Sequence, residues 1–269
     1  MSIVACVKVY DGIVLGAESM TQLTANFNGQ AQLVKAYENA QKIFQVAGFP
    51  IGILTYGIGN IGRRSIESFV HEFSKTEKAQ DPPNPVSVEE SAARFYSFMK
   101  VHYDEAFNQL PEEARPAMGF LIAGYSADEH LASIWEFVLP QFDGAKPVGD
   151  QSAVGAIWKG IWAPFGRLMF GIDPSFEQLL EMDGASPEEI ERFRRLVPGL
   201  QTQVAFDGMP LADATSYCKF IIQTTIGWCT YAIGSAACGG PIKLATITPG
   251  SGFEWVVRPK SYLEGEKHG

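Results

Sequence analysis

Ser2 stands behind an initiator methionine and ahead of an apolar run, Ile3-Val4-Ala5-Cys6-Val7, that reads as a β-strand. Removal of Met1 would leave a hydroxyl and a free α-amine on one residue. Such an amine titrates at about 7.7–8.0, so a nucleophile and its general base would share Ser2. Serine is also common at position 2, and the position alone does not decide. Cys6, Cys218, Cys229 and Cys238 form no C-x-x-C pair and read as free core thiols of a reducing compartment. A thiol is the better intrinsic nucleophile, but the sequence places no histidine beside Cys6 or Cys238. His71, His102, His130 and His268 lack metal-ligand spacing, so neither a metal nor another cofactor is expected. Gly57-Ile58-Gly59-Asn60-Ile61-Gly62 has the glycine spacing of a dinucleotide loop, but no acidic residue follows on a second strand.

The chain that must position these groups has 269 residues, 46% of them hydrophobic and 19% charged, which suffices for a large core. A net charge of −9 without a Lys/Arg cluster argues against nucleic acid or an anionic membrane as partner. No run of 18 apolar residues and no basic leader occurs, so a cytoplasmic protein is expected.

Residues 2–9 and 13–18 read as strands joined at Tyr10-Asp11-Gly12, where Asp-Gly would supply the positive φ of a tight hairpin. Residues 21–41 form a polar stretch, read as a long loop or a frayed strand pair. Residues 43–46 and 51–56 flank Gly48-Phe49-Pro50 as a second hairpin. Asn60 is the expected N-cap of a helix whose Ile66, Phe69, Val70 and Phe73 share one face. Asp81-Pro82-Pro83-Asn84-Pro85 breaks the chain, and the capping box Ser87-Val88-Glu89-Glu90 starts a helix to about Asn108. Strands are expected at 118–124 and 131–137, around the acidic turn Asp128-Glu129. A mixed apolar segment then runs to Phe170, with Trp158, Trp162, Phe165 and Met169 at helical spacing. Residues 171–208 read as one or two short surface helices and as an insertion. A last helix from Leu211 to about Gly234 leads into strands at 242–247 and 253–257. This order predicts an α+β sandwich.

Six phrases, in order, carry a resemblance. Ser2 is followed by Asp11-Gly12-Ile13-Val14-Leu15-Gly16-Ala17-Glu18-Ser19, Lys42-Ile43-Phe44, Thr55-Tyr56-Gly57, Phe120-Leu121-Ile122-Ala123-Gly124 and Cys238-Gly239-Gly240-Pro241-Ile242. Nearly the whole chain resembles the proteasome β-subunit family of N-terminal nucleophile hydrolases, in the bacterial branch that includes HslV and Anbu. The resemblance implies a four-layer αββα sandwich over residues 1–269 as one domain, interrupted by the 171–208 insertion. It implies Ser2 as nucleophile, Lys42 as the cation that tunes it, Glu18 as the partner of Lys42, and the Gly57 N–H as oxyanion donor. Ser235, Cys238 and Gly239 would be supporting residues. A peptide or small amide is the implied substrate and a homo-oligomeric ring the implied state, while no motif identifies an ATPase partner.

The chain departs from the family pattern at four places. Ser235 stands where an aspartate is usual, Cys238 where a serine is usual, and Met20 where a basic residue is usual. Ala156, in Val154-Gly155-Ala156, takes the place of a further serine. Two functions therefore remain open. One is an amidohydrolase or peptidase using Ser2 after Met1 removal; the other is a non-catalytic scaffold or assembly subunit that retains Met1.

Overall fold

The computed structural model describes residues 2–258 apart from 28–29, 47, 79–86, 128, 174 and 235. Met1, the proline break at 81–85, Asp128 and Ser235 thus lie outside the described residues.

The chain opens with β1 (Ile3–Val9) and β2 (Gly12–Ala17), followed by the ribbon β3 (Thr21–Phe27) and β4 (Gln30–Tyr37). The stretch expected as a loop or frayed pair is therefore an antiparallel two-stranded ribbon. Next come β5 (Ile43–Gln45), β6 (Ile51–Gly57), β7 (Asn60–Ile61), β8 (Arg64–Ser65), α1 (Ile66–Lys78) and α2 (Val88–Phe107). The second half holds β9 (Met118–Gly124), β10 (Ser133–Leu139), β11 (Lys146–Pro147), β12 (Gly155–Gly160), α3 (Ala163–Phe170), α4 (Phe176–Met182), α5 (Pro187–Leu196), α6 (Leu211–Tyr231), β13 (Lys243–Thr248) and β14 (Gly252–Val257).

Two five-stranded sheets result, ordered β12-β1-β2-β13-β14 and β11-β10-β9-β6-β5, and every pairing in them is antiparallel. Side-chain alternation then sorts the apolar residues into three cores. From the first sheet, Val4, Cys6, Ile13 and Leu15 meet Leu54 and Leu121 of the second. Their neighbours Ile3, Ala5, Val7 and Val14 face α3 and α6, meeting Phe165, Cys218 and Ile222. Ile53, Phe120 and Ile122 face α1 and α2, meeting Phe73, Phe95 and Met99. The four layers are α, β, β, α, as the resemblance implied.

Close approach of these layers depends on glycines. A Cβ on Gly52 would lie 2.3 Å from Leu15 Cδ1 of the opposing sheet, and one on Gly16 would lie 2.5 Å from Cys218 Sγ of α6. Gly12 acts similarly and not through its φ. The first hairpin turns at Tyr10-Asp11, Gly12 pairs with Val9, and a Cβ there would lie 2.9 Å from the Ile247 carbonyl.

Two further expectations are corrected. The first helix starts at Ile66 and not after Asn60, because Gly62, at φ +58, folds residues 60–65 into the β7–β8 ribbon. Its apolar face, Ile66, Phe69, Val70 and Phe73, is buried as read. Trp158 and Trp162 do not share a helix stripe: Trp158 lies on β12 and Trp162 is the N-cap of α3. The indole N–H of Trp158 donates to the Trp162 carbonyl across that bend at 3.1 Å. The capping box at Ser87 and Glu90 forms as expected.

Candidate active site

Ser2 enters the structure at the end of the first sheet, 3% exposed, directly before β1. Its carbonyl accepts from the Ile161 N–H at 2.7 Å. Gly160, at φ +92, makes this contact possible, since a Cβ there would lie 1.9 Å from the Ser2 carbonyl oxygen. Lys42 reaches the same point from the second sheet, one residue before β5.

The Lys42 ammonium has three partners. It donates to Ser2 Oγ at 2.9 Å, to the Met20 carbonyl at 2.6 Å, and to Glu18 Oε1. The Glu18 carboxylate and the Met20 carbonyl can only accept, and the buried carboxylate at ion-pair distance favours the ammonium form of Lys42. Glu18 is fully buried, and its second oxygen accepts from the Met20 N–H at 2.7 Å and the Gly239 N–H at 3.2 Å. The glutamate folds back along its own strand end and is bonded at both oxygens. Burial pulls the Lys42 pKa below the ordinary lysine value, and the Glu18 carboxylate opposes that shift.

Gly57 closes β6 at φ +92, where a Cβ would lie 2.4 Å from the Ala117 carbonyl. The Thr55 N–H donates to the Lys42 carbonyl at 3.0 Å, and the Ile58 N–H to the Ala117 carbonyl at 3.2 Å. Strand alternation therefore directs the Gly57 N–H to the Lys42 side, past the end of β5. Ser2, Lys42, Thr55 and Gly57 line one cleft of about 840 Å³, rimmed by the β3–β4 ribbon. Thr55 Oγ1 is buried there without a hydrogen-bond partner among the described residues.

This architecture is found in solved structures. Anbu (ancestral beta-subunit) from Yersinia bercovieri superimposes over 97% of this chain and 89% of its own, with a TM-score of 0.51 at 12% identity. The helical assembly of the Anbu complex from Pseudomonas aeruginosa matches over 97% of this chain and 88% of its own, with a TM-score of 0.52 at 13% identity. The chain has a proteasome-like fold. No family model matches the sequence, and no curated protein matches it.

Within this fold, Ser2, Glu18, Lys42, Gly57 and Gly239 are brought together. Cys238 is next to them in sequence, but its buried side chain joins the α6 core. Burial, the Cys229 thiol and Glu18 all push its pKa up, which suits an inert thiol. All four cysteines are free and buried. Ser235 lies outside the described residues.

Ala156 does not belong to the site. It pairs with Val7, whereas Gly160 pairs with Ile3, so about 13 Å of strand separates it from the Ser2 end. The residues that adjoin Ser2 are Gly160, the last of this strand, and Ile161, just beyond it. Met20, noted for the side chain it lacks, contributes through its backbone, whose N–H and carbonyl bond Glu18 and Lys42. No sequence motif marks a backbone contact of that kind. Thr55 was legible as part of the Thr-Tyr-Gly phrase, but its unpaired hydroxyl was not.

Replacing Glu18 by Gln leaves the Lys42 ammonium buried without its anion. Breaking such a pair is expected to lower stability by about 3–5 kcal/mol at neutral pH. The deficit narrows as pH rises, because a deprotonated Lys42 needs no counter-ion. Denaturant unfolding at several pH values measures both effects, and an unchanged midpoint at pH 7 would contradict the assignment.

Proposed function

We propose that the chain is an N-terminal serine amidohydrolase acting on peptide or small amide bonds once Met1 is removed. The observation that carries this reading is the 2.9 Å hydrogen bond from Lys42 Nζ to Ser2 Oγ inside the cleft. In this reading Lys42, paired with Glu18 and bonded to Met20, stays an ammonium and donates to Oγ, so another group takes the hydroxyl proton. That task falls to the Ser2 α-amine, which exists only without Met1. The amine removes the Oγ proton, and Oγ attacks the amide carbonyl. The Gly57 N–H bonds the resulting oxyanion. The proton passes to the leaving amine as the C–N bond breaks, and water then releases the acyl group from Oγ.

N-terminal mass analysis of the purified protein is expected to show Ser2 first, and a β-lactone probe is expected to add one mass equivalent at Ser2. The rate of acylation climbs as the α-amine loses its proton near about pH 7.7–8.0. It falls again once Lys42 deprotonates, below the ordinary lysine value. Retained Met1 with no adduct would favour the scaffold reading.

Self-assembly belongs to the same proposal. The outer end of α6 leaves Trp228 52% and Tyr231 90% exposed, with Ile233 beyond it fully exposed, an apolar surface suited to burial against another copy. No helix among the described residues is long and apolar enough to cross a membrane, so the patch is not part of a membrane-spanning helix. Sedimentation of the wild-type chain is expected to give an oligomer that Trp228→Glu with Tyr231→Glu dissociates. A monomeric wild type would refute this part.

A further inference from the structure

Lys243 is a second buried lysine, 3% exposed, at the start of β13. Its ammonium donates to the Ala40 carbonyl at 2.9 Å, to Gln41 Oε1 at 3.3 Å and to the Asn39 carbonyl at 3.5 Å. Three protons meet three acceptors from the three consecutive residues that precede Lys42. No carboxylate lies within ion-pair distance of it among the described residues.

Burying an ammonium without an anion is costly, and an apolar side chain of the same length would fill the space without that penalty. What the apolar side chain lacks is the capacity to bond several neutral acceptors on one loop. Residues 38–41 need such bonding because they join the β3–β4 ribbon to β5 and belong to neither sheet. Ser19 supplies the rest of the tether. Its carbonyl accepts from the Ala40 N–H at 2.8 Å, and its hydroxyl, with one proton to give, lies 2.6 Å from the Glu38 carbonyl and 2.7 Å from that of Pro241. Both anchors come from the first sheet or its strand ends, while Lys42 leads into the second. The loop is thus fastened to the sheet that carries Ser2.

We propose that Lys243 is a positioning residue for the Ser2–Lys42 pair, fixing the path of residues 39–41 so that the Lys42 ammonium reaches Ser2 Oγ. This rests on reading Ser2 as the nucleophile, and two independent measurements keep the two claims apart. The first is hydrogen exchange, followed by mass spectrometry, over peptides spanning 38–44. The second is the kinetics of β-lactone acylation, resolved into a maximal rate and a half-saturating concentration.

In the full chain, Lys243→Met is expected to lose about tenfold or more in exchange protection at Ala40 while other strands keep theirs. Displacing a reacting group by about 1 Å costs on the order of 10²-fold in rate, so the maximal acylation rate should fall by about that factor with half-saturation unchanged. Lys243→Arg, which keeps the charge and its donors, should recover part of both losses. Wild-type exchange and acylation in a folded Lys243→Met would overturn the proposal, as would a loss of protection spread evenly over the chain. If wild type itself takes no adduct, the nucleophile reading fails, and local deprotection at 38–44 still decides whether Lys243 positions the loop. Should Lys243→Met not fold, Lys243→Gln, which keeps a hydrogen-bond donor, is put through the same measurements with the same expected and contrary results.

Discussion

The buried contact between Lys42 and Glu18 is the constraint to which the rest of this site answers. Two opposite charges removed from water recover their desolvation cost only when every remaining donor and acceptor is bonded. Here that condition is met: one glutamate oxygen takes Lys42, and the other takes the Met20 and Gly239 N–H groups. The lysine's other two protons go to Met20 and Ser2. Any backbone shift at residue 20 or 239 would leave a buried charge short of a partner. The pair therefore ties the end of β2, the approach to β13 and the start of β5 into one arrangement, and Ser2 Oγ receives the one ammonium proton left over.

Such an arrangement needs two sheets held at close range and in fixed register. Gly52 lets Leu15 press against the second sheet, and Gly16 lets α6 press against the first. Gly160 lets the Ser2 backbone lie on β12. None of these glycines touches the ion pair, yet each sets a distance on which the pair depends. Lys243 extends the same logic to the loop before Lys42, with a cation used to bond neutral acceptors.

Much of this was legible in the sequence, for identifiable reasons. Strands buried on both faces read as near-continuous apolar runs, so β1, β2, β6 and β9 were placed within a residue or two, and the capping box located α2. Lys42, Glu18 and Gly57 came from short phrases whose order matches a known pattern. Elements governed by local backbone geometry were less visible. Gly62 turned an expected helical turn into a ribbon, and Trp158 and Trp162 have helical spacing although a bend separates them. Matching Val154-Gly155-Ala156 by residue type gave Ala156 the place of a family serine, but the register of β12 pairs Ala156 with Val7 and puts Gly160 against Ser2. The contributions of Met20, Gly239 and Ile161 run through backbone atoms, about which side-chain identity says little, and the Lys243 ammonium bonds mainly backbone carbonyls that no sequence phrase marks.

The central claim is that Lys42, held by Glu18, makes Ser2 Oγ reactive. The most direct test is the acylation rate of Ser2 in Lys42→Met, with folding confirmed by its unfolding transition. General acid–base and electrostatic contributions of this kind are worth on the order of 10²–10⁴-fold, and a fall of that size is predicted. A folded Lys42→Met protein that is acylated at the wild-type rate would contradict the account.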